Sequence, residues 1–179
     1  MEKAGRGELD GSRVLLAGRS LGGAVAVAAA ARLLSDSSGA WGGARERAGG
    51  SEAGMGVPER AAFAPCGLVV ENSFTSISAM VDAKFPFLNI PFFKNFFLRL
   101  HWDSLAAIRG LSLPILFLSS AKDEIVPREQ MIALHSAATA AAARRFHVFK
   151  DTTHNDIWSK GGYAYWDAKR AFVQEFAKT

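Results

Sequence analysis

Ser20 stands in the stretch Gly18-Arg19-Ser20-Leu21-Gly22, between an apolar run, Val14-Leu15-Leu16-Ala17, and a small-residue stretch, Gly23-Ala24-Val25-Ala26-Val27. A serine in that setting is expected on a tight strand-to-helix turn, with its hydroxyl pushed out into a cleft. Glycines flank it because so tight a turn leaves little room for side chains. The chemistry this arrangement serves is nucleophilic attack on a carbonyl. Serine is a weak nucleophile at neutral pH, so it needs a base to take its proton and an acid to orient that base. The next backbone N–H, that of Leu21, would point to where the tetrahedral oxyanion forms.

In sites of this kind the chain order is serine, acid, histidine, each in a loop just past a strand. Asp123 is the first acidic residue after the apolar run Leu113–Ser120, in the loop Ala121-Lys122-Asp123-Glu124-Ile125-Val126-Pro127. His154 lies in Asp151-Thr152-Thr153-His154-Asn155-Asp156, after a run ending near Lys150. It is the one histidine of the four in a post-strand loop. His135 falls on a helix, His147 inside a strand pattern, and His101 beside Trp102, all read as packing or surface residues. Glu71, at another strand end, is the alternative acid. Asp156 reads as a structural hydrogen-bonding group. The motif around Ser20 is weak by itself and becomes strong once Asp123 and His154 follow it in order.

The elements that must position these residues alternate. Strands are expected over 13–18, 67–71, 113–120 and 144–150, and helices over 21–34, 127–143 and 161–178. In the last helix Tyr165, Ala168, Phe172, Val173 and Phe176 recur at helical spacing and would face a sheet. Strands alternating with helices imply an α/β fold, a parallel sheet with helices on both faces. The run Leu113–Ser120 is suited to burial on both faces. Residues 35–62 break the pattern. These 28 residues include seven glycines, six alanines and four serines, with no apolar period, and read as a low-complexity, disordered insertion. Residues 1–12 read as a disordered N-terminus, leaving 13–179 as one interrupted domain.

Composition bounds the function. The chain has 179 residues, 49% hydrophobic and 21% charged, enough for one domain with a sizeable core. Its net charge of +4 is scattered, with short pairs such as Arg144-Arg145 and Lys169-Arg170 but no basic stripe, which argues against nucleic-acid binding. The single cysteine, Cys66, allows neither an intrachain disulfide nor a cysteine metal cluster. The first residues carry no apolar core that would make a signal peptide, and no run of about 20 apolar residues is present. No metal or cofactor is expected.

Four stretches together resemble a known family: Gly18-Arg19-Ser20-Leu21-Gly22-Gly23-Ala24-Val25-Ala26, Val70-Glu71-Asn72-Ser73-Phe74-Thr75-Ser76-Ile77, Asp123-Glu124-Ile125-Val126-Pro127 and Thr153-His154-Asn155-Asp156-Ile157-Trp158. They look like the α/β-hydrolase domain-containing protein 13 group, or bud-emergence-type serine hydrolases, over roughly residues 13–34 and 67–176. The resemblance implies the C-terminal half of an α/β-hydrolase fold, with Ser20 as nucleophile, Asp123 as acid and His154 as base. Members of the group are often anchored by an N-terminal transmembrane helix, so the resemblance implies membrane association; otherwise a cytoplasmic location is expected. The group's earlier strands, its membrane anchor and its His-Gly-rich oxyanion loop have no counterpart in these residues. A fragment is therefore expected, with the strand before Ser20 left as an open sheet edge.

One stretch bears on substrate. Residues 85–98 hold six of the 13 phenylalanines, and Phe92, Phe93, Phe96 and Phe97 would form a helical stripe with Leu100. The plain reading is a helix packed on the core. A second is the wall of an acyl pocket or lid over Ser20, and a third a membrane-surface contact. The expected function is a serine hydrolase acting on an ester or thioester, such as a lipid-modified protein or lipid ester. The competing expectation is an inactive fragment that binds a partner through its open edge.

Overall fold

The computed structural model describes residues 14–37, 65–76 and 103–177. In chain order the elements are β1 (Leu15–Arg19), α1 (Leu21–Ser37), β2 (Gly67–Glu71), α2 (Ser104–Arg109), β3 (Ile115–Ser120), α3 (Arg128–Ala137), β4 (Arg144–Phe149), α4 (Ile157–Lys160) and α5 (Gly162–Phe176). The strands form one sheet in the order β1-β2-β3-β4. All three pairings are parallel, with Arg19 opposite Glu71, Glu71 opposite Leu118 and Ser120 opposite Phe149. This is the expected parallel α/β sheet, and among the described residues β1 is paired on one side only.

Alternation along the strands divides the core into two layers, because successive side chains point to opposite faces. On one face Leu68, Val70, Ile115 and Phe117 pack against Ala26, Val27 and Ala30 of α1, Ile108 of α2 and Met131 and Leu134 of α3. On the other, Val69, Leu116, Leu118 and Phe149 meet Ile157, Tyr165 and Phe172. All six residues of β3 are buried, as its unbroken apolar run predicts. The small side chains of α1 let the helix lie close to the strand that precedes it.

Several expectations need correction. The helix expected over 127–143 ends at Ala137, although alanine favours helix at nearly every position beyond it. Ala138 turns the chain with ψ 53°, the Ala142 N–H donates to Ser112 O at 3.0 Å, and the Ile115 N–H donates to Ala143 O at 2.9 Å. The alanines are thus recruited to bring β4 beside β3. At the other end, α1 continues to Ser37, into the segment read as an insertion, and Ser35 Oγ donates back to Arg32 O at 2.8 Å. The short helix α4 precedes the closing helix. Gly161 separates the two, and the closing helix opens at Gly162, whose φ of +56° lies in the left-handed region that glycine adopts without strain. In α5 Tyr165 and Phe172 are fully buried and Ala168 and Phe176 partly so, but Val173 is exposed, one position off the sheet-facing stripe. Helix α2, capped by Asp103 accepting from the Ala106 N–H at 2.9 Å, carries too short a pattern to be read in advance. Residues 1–12, 38–62 and the phenylalanine-rich stretch with Phe92, Phe93, Phe96 and Phe97 lie outside the described residues, as does His101.

His135 packs into the first layer. Its ring meets Phe117 edge-on at 5.3 Å and lies 5.2 Å from Phe146. Burial, helped by the neighbouring Arg144 guanidinium, lowers its pKa below the ordinary 6.5. The neutral ring is therefore favoured in the folded state. That contribution to stability is complete above pH 6.5 and is lost as the pH falls through the depressed folded value. Thermal unfolding should accordingly show a lower Tm at pH 5.5 than at 7.5, with part of that drop removed in His135→Gln. An unchanged drop in the variant would contradict this account.

Candidate active site

The carboxyl ends of the four strands converge, and the parallel ladder runs past them into the loops. The Ser20 N–H donates to Glu71 O at 2.8 Å, the Asn72 N–H to Leu118 O at 3.0 Å, the Ala121 N–H to Phe149 O at 2.9 Å and the Lys122 N–H to Thr152 O at 3.0 Å. Each loop is thereby fixed to the next at the edge where ligands bind in sheets of this kind.

Ser20 occupies the turn between β1 and α1 with φ 52°. A non-glycine residue in that region carries a cost of about 1–3 kcal/mol, which the surroundings must hold in place. Here they do so through both backbone groups. Besides the bond from its N–H, the Ser20 carbonyl accepts from the Gly23 N–H at 3.0 Å and from Ser73 Oγ at 2.8 Å. Crowding explains part of the glycine pattern. A Cβ on Gly18 would stand 2.0 Å from Gly22 O, and one on Gly23 would stand 2.6 Å from Ser73 Cβ. A Cβ on Gly22 would meet nothing within 4 Å among the described residues. The turn therefore requires Gly18 and Gly23, not both glycines that flank Ser20 at a spacing of two. Leu21 is the first residue of α1, where the helix ladder makes no use of the N–H, and the 17-residue helix directs its positive end there.

Asp123 and His154 come together. His154 Nδ1 lies 2.8 Å from Asp123 Oδ2 and 3.0 Å from Oδ1, and the two side chains are only 5% and 2% exposed. Asp123 Oδ1 also accepts from the Ile125 N–H at 2.9 Å and the Val126 N–H at 2.7 Å, so the loop after β3 closes around its own carboxylate. With Nδ1 committed to the carboxylate, Nε2 is the ring nitrogen left to accept a proton.

Glu71, the alternative acid, is engaged elsewhere. Tyr165 OH donates to Glu71 Oε2 at 2.7 Å, Lys169 Nζ donates to the Tyr165 hydroxyl at 2.6 Å, and Lys169 Nζ stands 3.7 Å from Glu71. Burial, and then the bond to Glu71, push the Tyr165 hydroxyl far above its ordinary pKa. This cluster ties β2 to α5. Asp156 is structural: Oδ1 accepts from the Thr153 N–H at 2.6 Å and Oδ2 pairs with Lys160 at 2.7 Å. The Lys160 contact, then the Thr153 N–H, lower its pKa. His147 is exposed on β4. Among the described residues no group of three or more His, Cys, Asp and Glu side chains is arranged to hold a metal ion.

The sequence reading assigned no role to the buried polar group beneath His154. Asn72, at φ 43°, accepts from the Ser120 N–H at 2.8 Å through Oδ1 and donates through Nδ2 to Ser120 Oγ at 3.0 Å and to His154 O at 3.2 Å. Ser120 Oγ donates to Thr153 O at 2.8 Å, and Thr152 Oγ1 to Ser120 Oγ at 2.8 Å. The one available signal was position, since Asn72, Ser120 and Thr152 each sit at or just past a strand end.

A parallel sheet covered on both faces, with a strained serine after β1 and a carboxylate–histidine pair from the loops after β3 and β4, defines the C-terminal half of an α/β-hydrolase fold. No protein-family model matches the chain. It is 30% identical over 184 residues to the α/β-hydrolase domain-containing protein WAV2 of Arabidopsis thaliana, covering 97% of this chain and 51% of the relative. It is 41% identical over 97 residues to the protein bem46 of Schizosaccharomyces pombe, covering 54% of this chain and 31% of the relative. An uncharacterized membrane protein of Saccharomyces cerevisiae matches at 36% identity, over 61% of this chain and 37% of its own. Among solved structures, a puromycin-hydrolyzing peptidase of Mycobacterium tuberculosis superposes with a TM-score of 0.61 at 15% identity, over 96% of this chain and 23% of its own. A Pyrococcus furiosus esterase gives a TM-score of 0.60 at 14% identity, over 93% and 55%. The chain is thus similar to α/β-hydrolase domain-containing proteins of the bem46 type, the group its motifs resemble, and spans about half the length of WAV2.

The glycine geometry gives a direct test of how the turn is built. Gly18→Ala should destabilise the fold by about 1–3 kcal/mol in denaturant unfolding, the usual penalty for overpacking. Gly22→Ala should leave stability unchanged or raise it by up to about 1 kcal/mol, because alanine suits a helix better. Equal losses in the two variants would show that the crowding lies elsewhere.

Proposed function

We propose that this chain carries the catalytic machinery of a serine hydrolase that cleaves an ester or thioester. The observation that supports this most strongly is the buried pair of His154 and Asp123, presented at the same sheet edge as Ser20 on its left-handed turn. Ser20 Oγ attacks the substrate carbonyl as His154 Nε2 takes its proton. Asp123 holds the imidazole in the required tautomer and stabilises the imidazolium that forms. The Leu21 N–H, with the positive end of α1 behind it, stabilises the oxyanion. Collapse of the tetrahedral intermediate expels the alcohol or thiol, which receives the proton from His154. A water activated by the same nitrogen then releases the acid and restores Ser20. A single oxyanion donor contributes about 10²–10³ in turnover, so the Leu21 N–H is a substantial part of the machinery.

The substrate class we favour is an apolar acyl group, as in a lipid-modified protein or a lipid ester. It is supported by the likeness to these relatives and by the apolar, phenylalanine-rich composition of residues 85–98, which include Phe92, Phe93, Phe96 and Phe97. Among the described residues no helix is long and apolar enough to cross a membrane. The name of the Saccharomyces cerevisiae relative supports work at a membrane surface.

A fluorophosphonate probe tests the mechanism. The chain should be labelled at Ser20, with no labelling in Ser20→Ala and labelling slowed about 10²–10⁴-fold in His154→Ala and Asp123→Asn. Folded chain that takes up no probe would overturn the reading and leave a non-catalytic role, such as partner binding through β1.

A further inference from the structure

The His154 main chain is held from both sides by side chains from the ends of β1 and β2 and from the loop after β3. Its N–H donates to Glu124 Oε2 at 3.1 Å, from the loop after β3. Its carbonyl accepts from Asn72 Nδ2 at 3.2 Å, from the end of β2, and from Arg19 Nη1 at 3.0 Å, from the end of β1. The same Arg19 nitrogen donates to Asn155 Oδ1 at 2.8 Å. Arg19 is thus the direct bridge between the turn that carries Ser20 and the loop that carries His154, which are 135 residues apart in sequence.

We infer that Arg19 is a positioning residue for His154: it sets the distance between the Ser20 turn and the imidazole by gripping the His154 carbonyl and the Asn155 side chain. This rests on the serine-hydrolase reading above. The argument is geometric. Asp123 fixes the direction of the ring through Nδ1, but a ring held only there still swings with its backbone. Asn72 and Glu124 tie that backbone to β2 and to the loop after β3. Among the described residues only Arg19 ties it to β1, the strand whose last residue it is and whose next residue is the proposed nucleophile. A cationic donor on a neutral carbonyl makes a stronger hydrogen bond than a neutral amide does. Proton transfer between Ser20 and His154 depends steeply on their separation, and a misplacement of about 1 Å costs about 10²-fold. The residue between Gly18 and Ser20 is therefore not an arbitrary spacer in this chain.

The test compares Arg19→Met, Arg19→Lys and Arg170→Met in the 179-residue chain. Arg170→Met removes an equal charge from an exposed pair with Asp167 on α5 and serves as the control. With a fluorophosphonate, the second-order rate of Ser20 labelling should fall about 10–100-fold in Arg19→Met, should be partly restored in Arg19→Lys, and should be unchanged in Arg170→Met. The far-downfield proton resonance of His154 Nδ1–H should shift or broaden in Arg19→Met while thermal unfolding stays cooperative. Labelling of Arg19→Met at the wild-type rate would overturn the inference while leaving the hydrolase reading intact. If the wild-type chain takes up no probe, the hydrolase reading falls. The His154 resonance then decides the positioning alone, a shift supporting it and an unchanged signal overturning it.

Discussion

The carboxamide of Asn72 is where the ends of three strands are tied into one structure. It accepts from the backbone of Ser120, donates to the hydroxyl of the same residue and donates to the carbonyl of His154, all in a buried setting. Buried polar groups are tolerable only when their hydrogen bonds are made, so each member of this network constrains the others. Ser120 and Thr152 complete it and hold the main chain of the histidine loop at Thr153. That scaffold fixes the His154 main chain beside β3, from whose following loop Asp123 meets the ring. The left-handed conformation of Asn72 is the cost of aiming its side chain inward at the end of a strand.

A second polar cluster faces the opposite layer. Glu71 directly precedes Asn72, and its side chain leaves the sheet toward Tyr165 and Lys169 of α5. Lys169 also lies over the Tyr165 ring, 4.6 Å from its centroid. Two adjacent residues of one strand end therefore do opposite jobs. One anchors the covering helix, and the other anchors the edge that carries His154. Glu71 faces α5 by the alternation of β2, whereas Asn72, just past the strand, is aimed inward by its left-handed backbone.

Much of this was legible in the residues. The strand over 67–71 was delimited correctly because glycine opens it and a polar stretch closes it. The order of Ser20, Asp123 and His154 pointed to residues that the fold brings to one edge. What failed did so where tertiary demands override local preference. The alanines after Ala137 favour a helix in isolation, yet they form the lead into β4 because its backbone must register with β3. Val173 fits the apolar spacing of α5 but falls just outside the arc that the sheet covers. The shared network of Asn72, Ser120 and Thr152 could not be read from sequence, although Asn72 lies in one of the stretches that carry the resemblance and all three sit at or just past strand ends. A polar residue at a strand end reads as a turn, and only the fold shows that three such residues share hydrogen bonds. The crowding at Gly23 likewise depends on Ser73, 50 residues away.

The sequential strand order has a bearing on how the protein is made. Each strand is laid beside the one synthesised just before it, so the sheet can grow outward in the direction of translation without waiting for a distant partner. The turn at Ser20 follows β1 and the His154 loop follows β4. The turn can therefore form early, whereas the pairing of His154 with Asp123 waits until β4 has docked beside β3. Under the proposed hydrolase reading, a nascent or partly folded molecule holds an inert alcohol, and docking of β4 is the step that would supply its base.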